Sequence, residues 1–235
     1  SFKVDDKNRH RLETYTESKK KLFYQKYKKI ITSARNKFFN IFKDTTEYSD
    51  DKSVIDIGTT PSLDIEHNIF LEKTKNNHKI TCLSNQNCEI LKKKYLNLKE
   101  IVVGDGKKTN LPDNSFEIVH SNATIEHVGS LENQLLFVKE CLRISEKYVF
   151  IQTPNRFYPI DFHTTLPLIH WLPKNLHRKI LKIIGLEFYS LEKNLNLLSE
   201  NDIKNICKEL NIHSYQIIKH KLFMLTSNLV LIIKK

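Results

Sequence analysis

The chain has 235 residues, 40% of them hydrophobic, enough to bury the core of one α/β domain with appendages. Its net charge of +11 is uneven: residues 17–43 hold nine Lys or Arg against one acid, yet form no nucleic-acid reading module, so nucleic acid is not an expected partner. No apolar run is long enough to span a bilayer, the opening SFKVDDKNRH has no signal-peptide core, and the four cysteines form no C-x-x-C pair. A reducing cytoplasm is therefore the expected location.

Residues 1–16 are polar and expected to be poorly ordered. From 17 to 43, Phe23, Tyr27, Ile30, Ile31, Ala34, Phe38, Ile41 and Phe42 recur in steps that mark one face of an amphipathic helix or helix pair, with lysines opposite. Residues 1–48 thus read as a helical extension, and DTTEYSDDK (44–52) as a polar break before the main domain, 49–235. There, short β-rich runs at 53–57, 79–83, 100–103, 116–120 and 147–153 alternate with helical candidates near 64–74, 86–96 and 131–144. Strands joined by helix-length crossovers predict a doubly wound, mostly parallel sheet. Residues 154–186 break the alternation with four of the six prolines and the only Trp, and read as a lid beyond the fifth strand, with a basic helix from Lys174. A helix over 199–210, with Ser199 as N-cap and Asp202 at the third position, precedes two final apolar runs, 213–219 and 225–235.

Four strand ends carry polar groups. VIDIG (54–58) ends in a glycine that allows close backbone approach, with Asp56 two residues before it. The second strand ends at Ser84 and the third leads into GDG (104–106). HSNATIEHV (120–128) closes the fourth. In an open α/β sheet such ends form the ligand edge. A dinucleotide fold wants three glycines for the pyrophosphate, and one glycine cradles it poorly; the other alternative for this turn is a purely structural one.

Together these segments resemble a class I S-adenosylmethionine-dependent methyltransferase, of the branch similar to ubiquinone and menaquinone biosynthesis enzymes. The likeness spans about residues 50–156, where Asp105 and LPDNSFEIV (111–119) track the family pattern. It implies a Rossmann-like seven-stranded sheet ending in an antiparallel strand pair, and S-adenosyl-L-methionine as cofactor. Asp56, Gly58, Thr59 and Thr60 would then meet its amino-acid end or orient the loop. Asp105 and Gly106 would hold the adenine, and the backbone of Asn122 and Ala123 would line the sulfur. Two departures stand out: the loop lacks further glycines, and Ser84 replaces the acid that takes the ribose hydroxyls.

For the chemistry, His163 on the lid is the preferred general base, and His127 in the Glu126-His127 pair is either a second candidate or structural. Asn155, Arg156, His163 and Trp171 are candidate acceptor contacts; an Arg there suits an anionic acceptor. His163, His170 and His177 recur every seven residues, but Pro167 and Pro173 break any shared helix, so no metal is expected. The GTTPS loop and the lid resemble methyltransferases of surface-polysaccharide clusters, implying O-methylation of a glycan or glycolipid precursor. A quinone or lipid-ring methyltransferase and a catalytically inactive, methyltransferase-like binding protein remain as alternatives. The basic amino-terminal segment and the lid read as a solvated basic face, with peripheral contact at the inner face of the membrane as the alternative.

Overall fold

Alternation along each strand decides which side of the sheet a residue faces, and here both sides are covered. The computed structural model describes residues 21–65 and 67–235. Residues 1–16 lie outside these, as do the side chains of Phe23, Tyr27, Ile30 and Ile31. Helix α1 (Lys21–Thr45) leads to β1 (Val54–Ile57), α2 (Ile69–Lys73), β2 (Ile80–Ser84), β3 (Glu100–Val103) and β4 (Phe116–Asn122). Then come α3 (Leu131–Ile144), β5 (Ser145–Pro154), α4 (Lys174–Ile183), α5 (Glu187–Ser190), α6 (Glu200–Glu209), β6 (Tyr215–Leu222) and β7 (Leu225–Lys234).

The seven strands form one sheet in the order β3-β2-β1-β4-β5-β7-β6. Strands β1 to β5 pair in parallel, and β7 runs antiparallel to both β5 and β6. This is the doubly wound arrangement the strand pattern predicts. The order reverses between β1 and β4, so their carboxyl ends frame the crevice of an open α/β sheet.

Ile55, Ile57, Val119, Val149, Ile151, Leu229 and Leu231 face one side, packed with Phe137, Val138 and Cys141 of α3 and with Ile203 and Ile206 of α6. On the other side Val54, Ile118, Phe150, Val230 and Ile232 meet Phe38 and Phe42 of α1 and Phe70 of α2. The basic amino-terminal helix therefore completes the second face of the sheet, with Phe42 wholly buried. All four cysteines are free and buried.

Helix α3 begins where Ser130 accepts a hydrogen bond from the Asn133 N–H, and α6 where Ser199 and Asp202 form the reciprocal capping pair that the sequence predicts. Two expected helices are shorter than predicted. Over 64–74 only Ile69–Lys73 is helical, because the Asn68 amide donates to the Thr60 and Ser62 carbonyls and holds the preceding chain in a loop. Over 86–96 a 3-10 turn, Glu89–Lys93, replaces the helix. There Ser84 Oγ accepts from the Gln86 N–H and Asn87 Oδ1 from the Glu89 N–H, local bonds that compete with helical ones. Among the described residues no helix is long and apolar enough to cross a membrane.

Candidate active site

The glycine turn at the end of β1 is held from three directions. Gly58 has φ +95°, a conformation L side chains rarely adopt, and its N–H donates to the Leu83 carbonyl at 2.9 Å. A Cβ at this position would meet Thr124 Oγ1 at 2.0 Å. The missing side chain thus lets Thr124, beyond β4, close over the turn and donate to the Ile57 carbonyl at 3.2 Å.

Asp56 lies beneath. Its Oδ2 accepts from Thr59 Oγ1 at 2.8 Å, and its Oδ1 lies 2.6 Å from His120 Nδ1. Parallel register between β1 and β4 makes these two residues direct neighbours. The His120 ring is stacked between Phe70, 3.9 Å away between centroids, and Phe150 at 5.4 Å, with Phe42 edge-on. Of the two roles the resemblance implies for Asp56, the geometry provides the orienting one: its carboxylate fixes Thr59 and hence the turn. His120 was invisible as a site residue in the sequence, because only strand order places it opposite Asp56.

The ends of β2 and β3 adjoin this turn. Cys88 Sγ donates to the Thr59 carbonyl at 3.5 Å, while Thr60 Oγ1 reaches Asn68 Oδ1 at 3.5 Å. The Gly104 N–H donates to the Ser84 carbonyl at 2.8 Å, which brings Ser84 and Asp105 to one stretch of rim. The Asp105 side chain is 57% exposed. Partial burial would raise its pKa, but hydrogen bonds from the Lys107 backbone and ammonium outweigh that and lower it, leaving an ionised acceptor. Gly106 serves the core: a Cβ there would press on Ile57 at 2.9 Å and Phe137 at 3.0 Å.

Glu140 of α3 anchors the loop that follows. Its Oε1 accepts from both the N–H and the hydroxyl of Thr109, at 2.7 and 2.6 Å, while Arg143 bonds both carboxylate oxygens. Burial would raise this carboxyl's pKa, yet those bonds lower it from 4.5 to about 2. A folded-state pKa below the unfolded one gives stability that is full above about pH 4.5 and lost as pH falls toward 2. The linkage is on the order of 3 kcal/mol at about 1.4 kcal/mol per pH unit. Denaturant unfolding across this range should therefore show Glu140→Gln losing less stability on acidification than the parent chain; parallel curves would contradict the anchor.

Past β4 the backbone turns sharply. Ala123 has φ +52°, and its N–H donates to the Gln152 carbonyl at 2.9 Å, so the left-handed conformation is held by β5. A 3-10 turn, Ile125–His127, follows, clamped by Gln134 Nε2 on the Ile125 carbonyl and by the Asn196 N–H on that of Glu126. Asn122, Ala123 and Thr124 thus border the glycine turn, and Glu126 and His127 stand directly beyond them.

The lid brings His163 to this turn. His163 Nε2 lies 3.1 Å from His127 Nε2, while its Nδ1 lies 3.2 Å from Asp161 Oδ1. His127 Nδ1 sits 2.7 Å from the Asn194 carbonyl. Burial favours the neutral form of His163, but the bond to Asp161 and the charges of Glu126 and Asp161 outweigh it and raise the pKa. The two candidate bases, distant in sequence, are therefore neighbours. Asp161 and Glu126 are the partners that sequence reading missed; only the adjacency of Glu126 and His127 hinted at the latter.

The remaining acceptor candidates brace the lid. Arg156 donates to the His170 and Leu172 carbonyls, and Asn155 to that of Thr226. Trp171 Nε1 donates to the Tyr158 carbonyl at 3.3 Å, yet the side chain stays partly exposed. His170 bonds the Tyr158 carbonyl and lies near His177, their centroids 6.4 Å apart, so His163 points elsewhere than the other two.

Comparison with known proteins agrees with this architecture. Residues 66–148 match a family model described as a methyltransferase domain. No curated protein matches the chain by sequence. Among solved structures, a SAM-dependent methyltransferase from Aquifex aeolicus is 14% identical with a TM-score of 0.54, over 84% of this chain and 88% of that one. One from Methanosarcina mazei is 15% identical with a TM-score of 0.55, over 83% and 96%. One from Archaeoglobus fulgidus is 15% identical with a TM-score of 0.50, over 84% and 99%. At such identities the likeness is one of fold.

Proposed function

We propose that this chain, which shares the fold of SAM-dependent methyltransferases and whose residues 66–148 match a methyltransferase domain, transfers methyl from S-adenosylmethionine to a hydroxyl of a glycan or glycolipid precursor. The observation that carries this reading is the polar rim, where ionised Asp105, Ser84, the Gly58–Thr60 turn and the His127–His163 pair line one edge of the sheet. S-adenosylmethionine supplies an electrophilic methyl group on a sulfonium. The residues would fit it: the exposed Asp105 carboxylate would accept from the adenine amine, and Ser84, buried at the end of β2, would offer a neutral partner to the ribose. The turn fixed by Asp56 and Thr59 bounds the amino-acid end.

Such a displacement needs alignment above all, with reacting atoms about 3–3.5 Å apart. The lid and the turn after β4 supply the acceptor side. As the acceptor oxygen bonds to the methyl carbon and the sulfur–carbon bond breaks, an Nε2 of the imidazole pair would take its proton. S-adenosylhomocysteine and a methyl ether remain.

A lipid-linked acceptor draws support from α4. Leu176 and Ile183 fall on one face and are exposed, the latter by 82%, beside exposed Lys179 and Lys182. Such a stripe suits an anionic membrane surface. The test is to incubate the full chain with methyl-labelled cofactor and an extract of the host cells, then fractionate. Label should enter the glycan or glycolipid fraction, and less of it should do so in a Leu176→Asp, Ile183→Asp double variant. Label confined to protein or RNA contradicts the acceptor assignment.

A further inference from the structure

Three potential ligand atoms converge where the turn after β4 meets the lid, and one of them has no hydrogen-bond partner. Glu126 is fully buried: its Oε2 accepts from Thr153 Oγ1 at 2.9 Å, whereas its Oε1 has no hydrogen-bond partner. That atom lies 3.7 Å from His163 Nε2. Both imidazoles have Nδ1 against an acceptor, the Asn194 carbonyl for His127 and the Asp161 carboxylate for His163. Each Nδ1 therefore carries a hydrogen, and when both rings are neutral, as metal ligation requires, both Nε2 atoms are acceptors facing one another at 3.1 Å. A proton between the rings would satisfy that contact and still leave Glu126 Oε1 unbonded.

From this arrangement we infer that Glu126 Oε1, His127 Nε2 and His163 Nε2 bind a divalent first-row transition-metal ion. The three ligand atoms lie within 4.8 Å of one another. Tetrahedral bonds of about 2.0–2.2 Å place ligands about 3.3–3.6 Å apart, and the 3.1 and 3.7 Å separations bracket that spacing. Two imidazoles and one carboxylate form a donor set that such ions accept. The supporting shell is in place too. A carboxylate and a carbonyl orient the two rings, Thr164 Oγ1 holds Asp161 at 2.6 Å, and Thr153 holds Glu126.

Burial is graded across the site. Glu126 is enclosed, His163 is intermediate and His127 is exposed, so free coordination positions open on one side. That side borders the rim, since Thr124, which closes over Gly58, directly precedes the turn carrying Glu126. Here the inference rests on the methyl-transfer reading. An acceptor hydroxyl taking a free position would be acidified by the ion and, with both Nε2 atoms bound, would release its proton to solvent; an Nε2 of the pair would take that proton only in the metal-free protein. No electron is transferred. Metal binding itself does not depend on that reading.

The test uses the full chain stripped with a chelator and titrated with cobalt(II), followed by its visible absorption and by calorimetry. One equivalent should bind with ligand-field bands of a nitrogen- and oxygen-ligated site. His163→Ala and Glu126→Gln should each weaken binding by about 100-fold or more, and Asp161→Asn, which only positions His163, by about 10- to 100-fold. His127→Ala, at the exposed end of the site, is the variant least prone to disturb folding and should show the same loss. Absence of cobalt bands in the parent chain, or parental affinity in His127→Ala and Glu126→Gln, overturns the site. S-adenosylhomocysteine binding to the same stripped protein is measured separately, so failure of the metal site and failure of the methyltransferase reading are told apart.

Discussion

Asp56→Ala is expected to destabilise the fold by about 2–4 kcal/mol, because it strips a buried imidazole and a buried hydroxyl of their common acceptor. His120 is held between two aromatic faces with its Nδ1 on that carboxylate, and has no room to turn toward water. For a chain of this length each kcal/mol shifts Tm by about 2–4 °C, so a fall of roughly 5–15 °C should appear in thermal unfolding. Asp56→Asn keeps an oxygen for His120 and should recover much of the loss. An alanine variant that melts with the parent chain would show that the Asp56–His120–Thr59 network does not hold the turn.

Asp105→Ala acts differently. The side chain is exposed and its partners belong to its own loop, so stability should change little. Binding of S-adenosylhomocysteine should weaken by about 10- to 100-fold, the size of one charge-assisted hydrogen bond of about 1.5–3 kcal/mol. Asp105→Asn retains an acceptor without the charge and should fall between. Calorimetry on the three proteins checks the order; equal affinities would mean that the purine is held elsewhere.

Much of the fold could be read from the chain because its strand signals are local. Runs such as EIVV (100–103) and FEIVH (116–120) sit between turn residues, and Ser199 with Asp202 marks a helix start on its own. The helix expected over 86–96 failed for a local reason of the opposite kind, since the Ser84 and Asn87 side chains bond to backbone N–H groups just ahead and stabilise turns. The amino-terminal helix was legible as amphipathic, but its partner was not. Only the sheet order brings Phe42 against Phe70, His120 and Phe150.

The site divides in the same way. Asp56, Gly58 and Asp105 could be picked out because strand ends announce themselves. What occupies the space around them could not: Thr124 fills the position above Gly58, and Phe137 the one beside Gly106. The meeting of His127 with His163 depends on the path of a proline-rich lid, for which no periodic signal exists. Spacing instead drew attention to His163, His170 and His177, whereas the side chains that converge are Glu126, His127 and His163.

Titration of the unmodified chain with S-adenosylhomocysteine tests the central claim most directly. A single site should saturate, and the melting temperature should rise with ligand concentration while NAD leaves it unchanged. No heat and no thermal shift at millimolar ligand would contradict a cofactor seat on the carboxyl edge of this sheet.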